Sequence, residues 1–369
     1  MALKVLMLII YNIVELLFLQ HNNFVTIVGD THMNDHLVIQ STRYNSRLVN
    51  LYKQWSISQN IFEVLSEHKE IRTSTKKKLK PALENTLMKE VLDLYSPSPS
   101  ELFQGISLAS LQHGFSCVDL EIENHELVLI LDIIRGYTSS YSKMDIAAYH
   151  PPASIHSDHF SFGTFKLYRN APVNRLWNVA LQTMTEDEAL THILMAGLQY
   201  NAIYSETRHI GPPQCVYDDF YNWGIRNEGF ASPFNARLLG KKDAHFFSAF
   251  PHTDSVFGSN GSFFMSDWKE HSGAWCVDPP FLTKTLTRVD HIVGRWRKEG
   301  SPPILYIGPS SYKMQTPFDE EIRLYKDIHY YEGLDGLLHV LPVDVSIWRF
   351  GDIVGFDTEK VIAGYLPQK

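Results

Sequence analysis

From about residue 213 onward, short apolar runs alternate with helical stretches, and no other feature of the chain restricts its fold as much. IRNEGF (225–230), AHFFSAF (244–250), GAWCV (273–277), PPILYIG (302–308) and LLHVLP (337–342) have strand length and strand composition. Helical patterns lie from Pro213 to about Trp223, over 282–298 and near 319–330. This order predicts an α/β fold, a doubly wound domain with a largely parallel sheet. We place that domain at 213–369, preceded by a mixed, helix-rich domain at 1–212.

The earlier half reads less regularly. Residues 46–72 and 81–95 carry helical patterns, and the basic run Lys76-Lys77-Lys78-Leu79-Lys80 between them, ending at Pro81, reads as a solvated face or loop. SCVDLEIENHELVLILDII, within 104–135, alternates in a way that predicts a hairpin or small sheet. TEDEALTHILMAGLQY opens with Thr185 and Glu188 at capping-box spacing and continues as a helix. At the N-terminus the apolar run Val5–Leu19 is broken by Asn12 and Glu15 and is shorter than the ~20 residues a membrane span needs. It reads as a packed first helix, so no membrane partner is expected. The net charge of −8 excludes a protein that coats nucleic acid but not one with a local basic cleft. Cys117, Cys215 and Cys276 are far apart and form no CxxC, which fits a reducing, intracellular compartment, nucleus or cytoplasm, and offers zinc nothing.

One segment combines rigidity with chemistry. In CVDPPFLT, Asp278 follows an apolar run and precedes a helical pattern, so it falls at the carboxyl edge of the sheet, where such folds bind ligands. Pro279 and Pro280 fix two φ angles and remove two backbone donors. A carboxylate plus the carbonyl of Pro279 make a rigid pair of acceptors, and Phe281 supplies an aromatic face for stacking. The four residues are similar to the [DN]-P-P-[FYW] motif of enzymes that methylate an exocyclic amino nitrogen such as adenine N6. That nitrogen is a poor nucleophile because its lone pair is delocalised. Two acceptors for its hydrogens favour the pyramidal, reactive geometry. Taken alone, the segment also reads as a strand that ends in a stiff turn.

Two further segments widen the likeness. GIRNEGFASPFN (224–235) and FSAFPHTDSVFGSNGSFF (247–264), followed by DPPF, closely resemble the cap-specific mRNA adenosine-N6 methyltransferases, the phosphorylated-CTD-interacting-factor family. The resemblance runs over about 185–357, with weaker likeness in ILYIGPSSYKMQTP and LHVLPVDVSIWRFGD. It implies a Rossmann-like class I methyltransferase domain that uses S-adenosyl-L-methionine to methylate N6 of an adenosine, a 2′-O-methyladenosine, next to the mRNA 5′ cap. Asp278, Pro279, Pro280 and Phe281 are then the catalytic segment. Glu228, Phe230, Ala231, Ser232, Pro233, Asn235, Asp254, Phe257 and Gly258 are the implied cofactor contacts, with Glu228 or Asp254 accepting from the ribose hydroxyls. Tyr312 with Lys313, and Trp348 with Arg349, match aromatic–basic pairs of the family's RNA cleft, and the implied partner is a capped mRNA 5′ end. Asp278 stands where members of that family carry asparagine, which adds negative charge beside an anionic strand. The residues between Trp275 and Trp296 lack the strands and turns of a WW module, so binding to the polymerase tail is not carried over. An adenine methyltransferase for DNA or internal RNA, and a catalytically silent binding relative, remain as alternatives.

Two other patterns carry less. VGDTH (28–32) and GDIVGF (351–356) are similar to parts of metallophosphoesterase motifs, but no Gly-Asn-His follows, and too few ligands remain for a metal. His150, His156 and His159 cluster in HPPASIHSDH without cysteine or carboxylate spacing and read as loop residues.

Overall fold

In the computed structural model the described residues are 39–41, 46–93, 103–142, 152–204 and 209–367. The apolar N-terminal run, VGDTH and His150 lie outside them. Residues 38–369 form one compact unit.

The strands, in chain order, are β1 (Ile39–Ser41), β2 (Ala153–Ile155), β3 (His159–Phe162), β4 (Phe165–Tyr168), β5 (Ile210–Gly211), β6 (Ile225–Ala231), β7 (His245–Ser248), β8 (Ala274–Val277), β9 (Ile304–Pro309), β10 (Glu320–Leu324), β11 (Tyr330–Gly333), β12 (Leu338–Val340) and β13 (Val345–Phe350). Six of them build the main sheet in the order β10-β13-β9-β8-β6-β7. β7, β6, β8 and β9 run parallel, and β13 is antiparallel to both β9 and β10. β8 is buried along its whole length and β9 nearly so, because both faces of the sheet are covered. Cys276, Leu305 and Ile307 face one cluster with the helix Gln214–Asn222, whereas Trp275, Val277 and Tyr306 face another with the helix Thr283–Lys298. Trp275 and Trp296, 5.0 Å apart between ring centroids, join this second layer. The residues between them are therefore the end of a strand, a turn and a helix.

The preceding region is helical, with a small antiparallel sheet β1-β2-β3-β4. The helix Glu186–Asn201 is buried over Ile193–Tyr200 and begins at the expected capping box: the Thr185 hydroxyl accepts from the Glu188 amide, and the Glu188 carboxylate accepts from the Thr185 amide. The helix Ser46–Glu67 buries Leu48, Leu51, Gln54, Ser58, Ile61 and Leu65, a stripe at three- and four-residue spacing.

Three local expectations are corrected. Residues 104–135 form helices, Leu108–Ser116 and Asn124–Ser142, not a hairpin. Leu127, Ile130, Leu131 and Ile134 bury one helical face, and Glu126 in the first turn bonds the Arg72 amide and guanidinium at 2.8 Å. That long-range anchor outweighs the local alternation. Pro81 does not end a helix but sits inside Thr73–Asp93, whose basic run exposes Lys77, Lys78 and Lys80 and buries Leu79. Finally, residues near 319–330 include a strand, β10, not a helix, because Ile322 and Leu324 pair with β13 and point into the core.

Candidate functional site

β7 lies on one side of β6, and β8, next in the sheet by sequence, lies on the other. The strand order thus reverses at β6, and a crevice forms between the carboxyl ends of β6 and β8. A cavity of about 540 Å³ occupies that position. Gly229 to Ser232 line it from β6, Ser248 and Ala249 from β7, and Asp278 to Phe281 from β8. Tyr200, His209 and the segment His339–Val343 close the opposite side, with Met88 and Leu92 from the helix Thr73–Asp93. A Cβ at Gly229 would stand 2.9 Å from the Phe263 ring, so only glycine lets the end of β6 lie this close to the aromatic wall.

The DPPF segment leaves its acceptors open. Among the described residues neither the Asp278 carboxyl nor the Pro279 carbonyl takes part in a hydrogen bond, whereas the Pro280 carbonyl accepts from the Leu282 amide at 2.7 Å and turns the chain into its helix. Burial, with Glu228 behind it as the second cause, pushes the Asp278 carboxyl well above the usual carboxylate range. No lysine or arginine lines the cavity among the described residues, and Asp278 is its one acid.

The turn after β6 is built differently. The Ser232 amide and hydroxyl both donate to Asn235 Oδ1, at 2.6 and 3.0 Å, and the Ser232 hydroxyl accepts from the Asn235 amide. Since that hydroxyl donates to Asn235, His209 Nε2, 2.6 Å away, is assigned as the protonated nitrogen that donates to it. Burial and the nearby Arg237 guanidinium hold His209 down at about 4, so it stays neutral. Ser232 and Asn235 line the cavity while fixing the turn; Pro233 is buried within it. Glu228 lies behind the turn, 3% exposed and off the cavity, and accepts from the Leu238 amide at 3.1 Å. Burial raises it to about 7 against the opposing pull of Arg237 and Arg175.

At the end of β7, Asp254 is likewise sealed. It is fully buried, accepts from the Tyr200 hydroxyl at 2.7 Å and does not line the cavity; burial raises it to about 7. Phe257 is buried beside it, and Gly258 closes the following turn at φ 93°. Of the implied cofactor residues, the fold brings Phe230, Ala231, Ser232 and Asn235 to the cavity, but not Glu228, Pro233, Asp254, Phe257 or Gly258.

The aromatic–basic pairs are also off the cavity. Tyr312 donates to Asp290 Oδ2 at 2.9 Å, and Lys313 is exposed beside it. Trp348 is 2% exposed and packs on Tyr306, while Arg349 is held by Glu320 and Asp352. The residues that the sequence left unmarked are Tyr200 and His209, stacked at 5.1 Å, and Arg237, which binds the Pro212 carbonyl at 2.9 Å and pairs with Glu332. Their partners lie far away in sequence, so no local pattern announces them. His156 and His159 stack at 4.2 Å in and beside β3. No group of three or more metal-ligating side chains, and no helix long and apolar enough to cross a membrane, occurs among the described residues.

Fold and site together define an α/β protein with a ligand cavity at the reversal point of its sheet. Residues 178–322 match the family described as phosphorylated CTD interacting factor 1 WW domain. The matched span contains β5 to β9 and the segments carrying Phe230, Ser232, Asn235 and DPPF. A comparison with curated proteins finds no match.

Proposed function

We propose that the chain is an S-adenosyl-L-methionine-dependent methyltransferase that modifies N6 of an adenosine next to the mRNA 5′ cap. The observation that carries this reading is the pair of open acceptors, Asp278 and the Pro279 carbonyl, on a proline-stiffened strand end in the cavity. The doubly wound parallel strands, with β13 set antiparallel between β9 and β10, support a Rossmann-like class I methyltransferase domain. The family match over residues 178–322, with the resemblance of the GIRNEGFASPFN and FSAFPHTDSVFGSNGSFF segments, is what supports the mRNA cap as the target.

The lining residues suit the cofactor chemically. A cavity with no lysine or arginine and one carboxyl among its described lining residues favours a sulfonium cation over an anion. Phe230 and Phe263 give apolar walls to a nucleoside, and the Ser248 and Ser262 hydroxyls stand among them. Bound there, the cofactor supplies an electrophilic methyl group. Asp278 and the Pro279 carbonyl accept the two N6 hydrogens and hold the nitrogen in line with that group. Phe281 stacks on the adenine. Methylation would require N6 to lose one proton, and Asp278, the one acid among the described lining residues, would be the base this chain offers for it when ionised. The neutral His209 and the sealed Glu228 and Asp254 keep the frame and take no proton.

The test is transfer of labelled methyl to a short RNA that begins with 2′-O-methyladenosine, with and without a 7-methylguanosine cap, followed by nucleoside analysis. Cap-dependent N6-methyladenosine that vanishes in Asp278→Ala is the expected result. Label on uncapped RNA or DNA removes the cap assignment, and absence of transfer together with absence of cofactor binding removes the enzyme.

A further inference from the structure

The candidate active cavity has no cationic side chain among its described lining residues, yet a nucleic-acid substrate brings a phosphate with every nucleotide. A second cavity, about 410 Å³, lies on the other side of Tyr204, which lines both. Its walls come from the helices Ser46–Glu67, Thr73–Asp93 and Glu186–Asn201 and from β4. Lys80 and Lys166 stand at its rim, both exposed and neither in an ion pair among the described residues. Trp55 is half-buried in it, its ring held edge-on by Phe165 at 5.2 Å and 68°. Glu84, 1% exposed, lies at its inner end.

Charge is thus ordered by depth. Cations stand outside, an aromatic edge lies between, and a carboxylate sits within. A phosphate placed deep would meet Glu84, so an anionic ligand must keep its phosphate at the rim. What reaches inward lies against the Trp55 ring and beside the side-chain amides of Gln59 and Asn201, so it must be flat and must carry hydrogen-bonding edges. A nucleobase with an exocyclic amino group satisfies both conditions, and stacking on an aromatic ring is how such bases are usually held. We infer that this cavity is a nucleotide subsite, taking one nucleotide of the substrate strand other than the methylated one, with its phosphate between Lys80 and Lys166 and its base against Trp55. The inference rests on the nucleic-acid substrate proposed above. Because Tyr204 divides the two cavities, the two nucleotides would be neighbours or near neighbours in the strand.

The experiment measures binding of a 5′-phosphorylated ten-nucleotide RNA by fluorescence anisotropy across a salt series, with no methyl donor present, and competes it with adenosine and guanosine 5′-monophosphates. Both lysines are exposed, so Lys80→Ala/Lys166→Ala leaves the core intact. The expected result is a roughly tenfold or larger loss of RNA affinity, and a slope of log K against log salt that falls by about 0.7, the value for one phosphate on a single strand. Lysine-dependent binding of a mononucleotide but not of RNA would reassign the pocket to a free nucleotide. Unchanged affinity and slope in both arms overturn the inference. A chain that binds RNA through these lysines but transfers no methyl group keeps the subsite and removes the methyltransferase reading.

Discussion

The carboxyl ends of β6 and β7, compared with that of β8, show the same kinds of side chain used in two ways. Glu228, Asp254 and Asp278 are all acids at or beside this edge, and burial raises all three. At β6 and β7 the protein supplies the donors: the Leu238 amide for Glu228, the Tyr200 hydroxyl for Asp254, and a ring of bonds among Ser232, Asn235 and His209. At β8 it supplies none among the described residues. A polar group whose partners are already in place belongs to the frame, and one left open beside a cavity is waiting for a ligand.

Substitutions break this comparison in order of size. Asp278→Ala removes the acceptor proposed to hold the substrate and no hydrogen bond that supports the fold among the described residues. Methyl transfer is expected to drop by about 10³-fold, with thermal stability unchanged or raised. Asp278→Asn keeps a carbonyl acceptor but loses the titration: wild-type transfer should rise with pH as the elevated carboxyl ionises, whereas the amide variant should give a flat profile. A large loss of stability in either variant would return Asp278 to the frame.

Glu228→Gln tests the opposite class. A buried acid raised from 4.5 to about 7 favours folding while protonated, and that contribution is lost as pH climbs from about 4.5 through about 7. The neutral amide escapes the loss. The variant should therefore be more stable than wild type by roughly 2–3 kcal/mol at pH 8 and little different at pH 4, as read by denaturant unfolding. Equal stability at both pH values would show that Arg237 and Arg175 already neutralise the charge. Tyr200→Phe takes the donor from Asp254 and should cost about 1–3 kcal/mol, more at pH 8 than at pH 5, with little change in KM for RNA. Smallest is Ser232→Ala, about 0.5–1.5 kcal/mol of stability, together with weaker cofactor binding as the turn loosens. A calorimetric titration that finds cofactor affinity intact would confine Ser232 to folding.

The same division explains what could be read from the chain alone. β6 to β9, the helix Thr283–Lys298 and the Thr185 capping box are short-range patterns that the fold does not oppose, and each was legible. Residues 104–135 alternate apolar and polar positions, but Glu126 finds Arg72 more than fifty residues away and the segment coils. β10 carries charges spaced as on a helix, and pairing with β13 overrides them. At the site, DPPF was visible because rigidity is written into proline. Whether its acceptors stay open depends on which donors the fold brings near, and residue types do not record that. Tyr200 and Asp254, 54 residues apart, meet only when the helix Glu186–Asn201 packs beside the turn after β7. For that reason the implied roles of Glu228 and Asp254 looked alike from sequence to those of Ser232 and Asn235, although only the latter pair reaches the cavity.

Tyr204 forms part of the wall of both cavities, and a shared wall has a thermodynamic consequence. Any occupant of one cavity that prefers one rotamer of this side chain changes the affinity of the other cavity by some factor, and the second occupant must act back on the first by the same factor. Cooperativity between the two ligands is therefore a quantity that one side chain can set, and its sign can be measured from either direction.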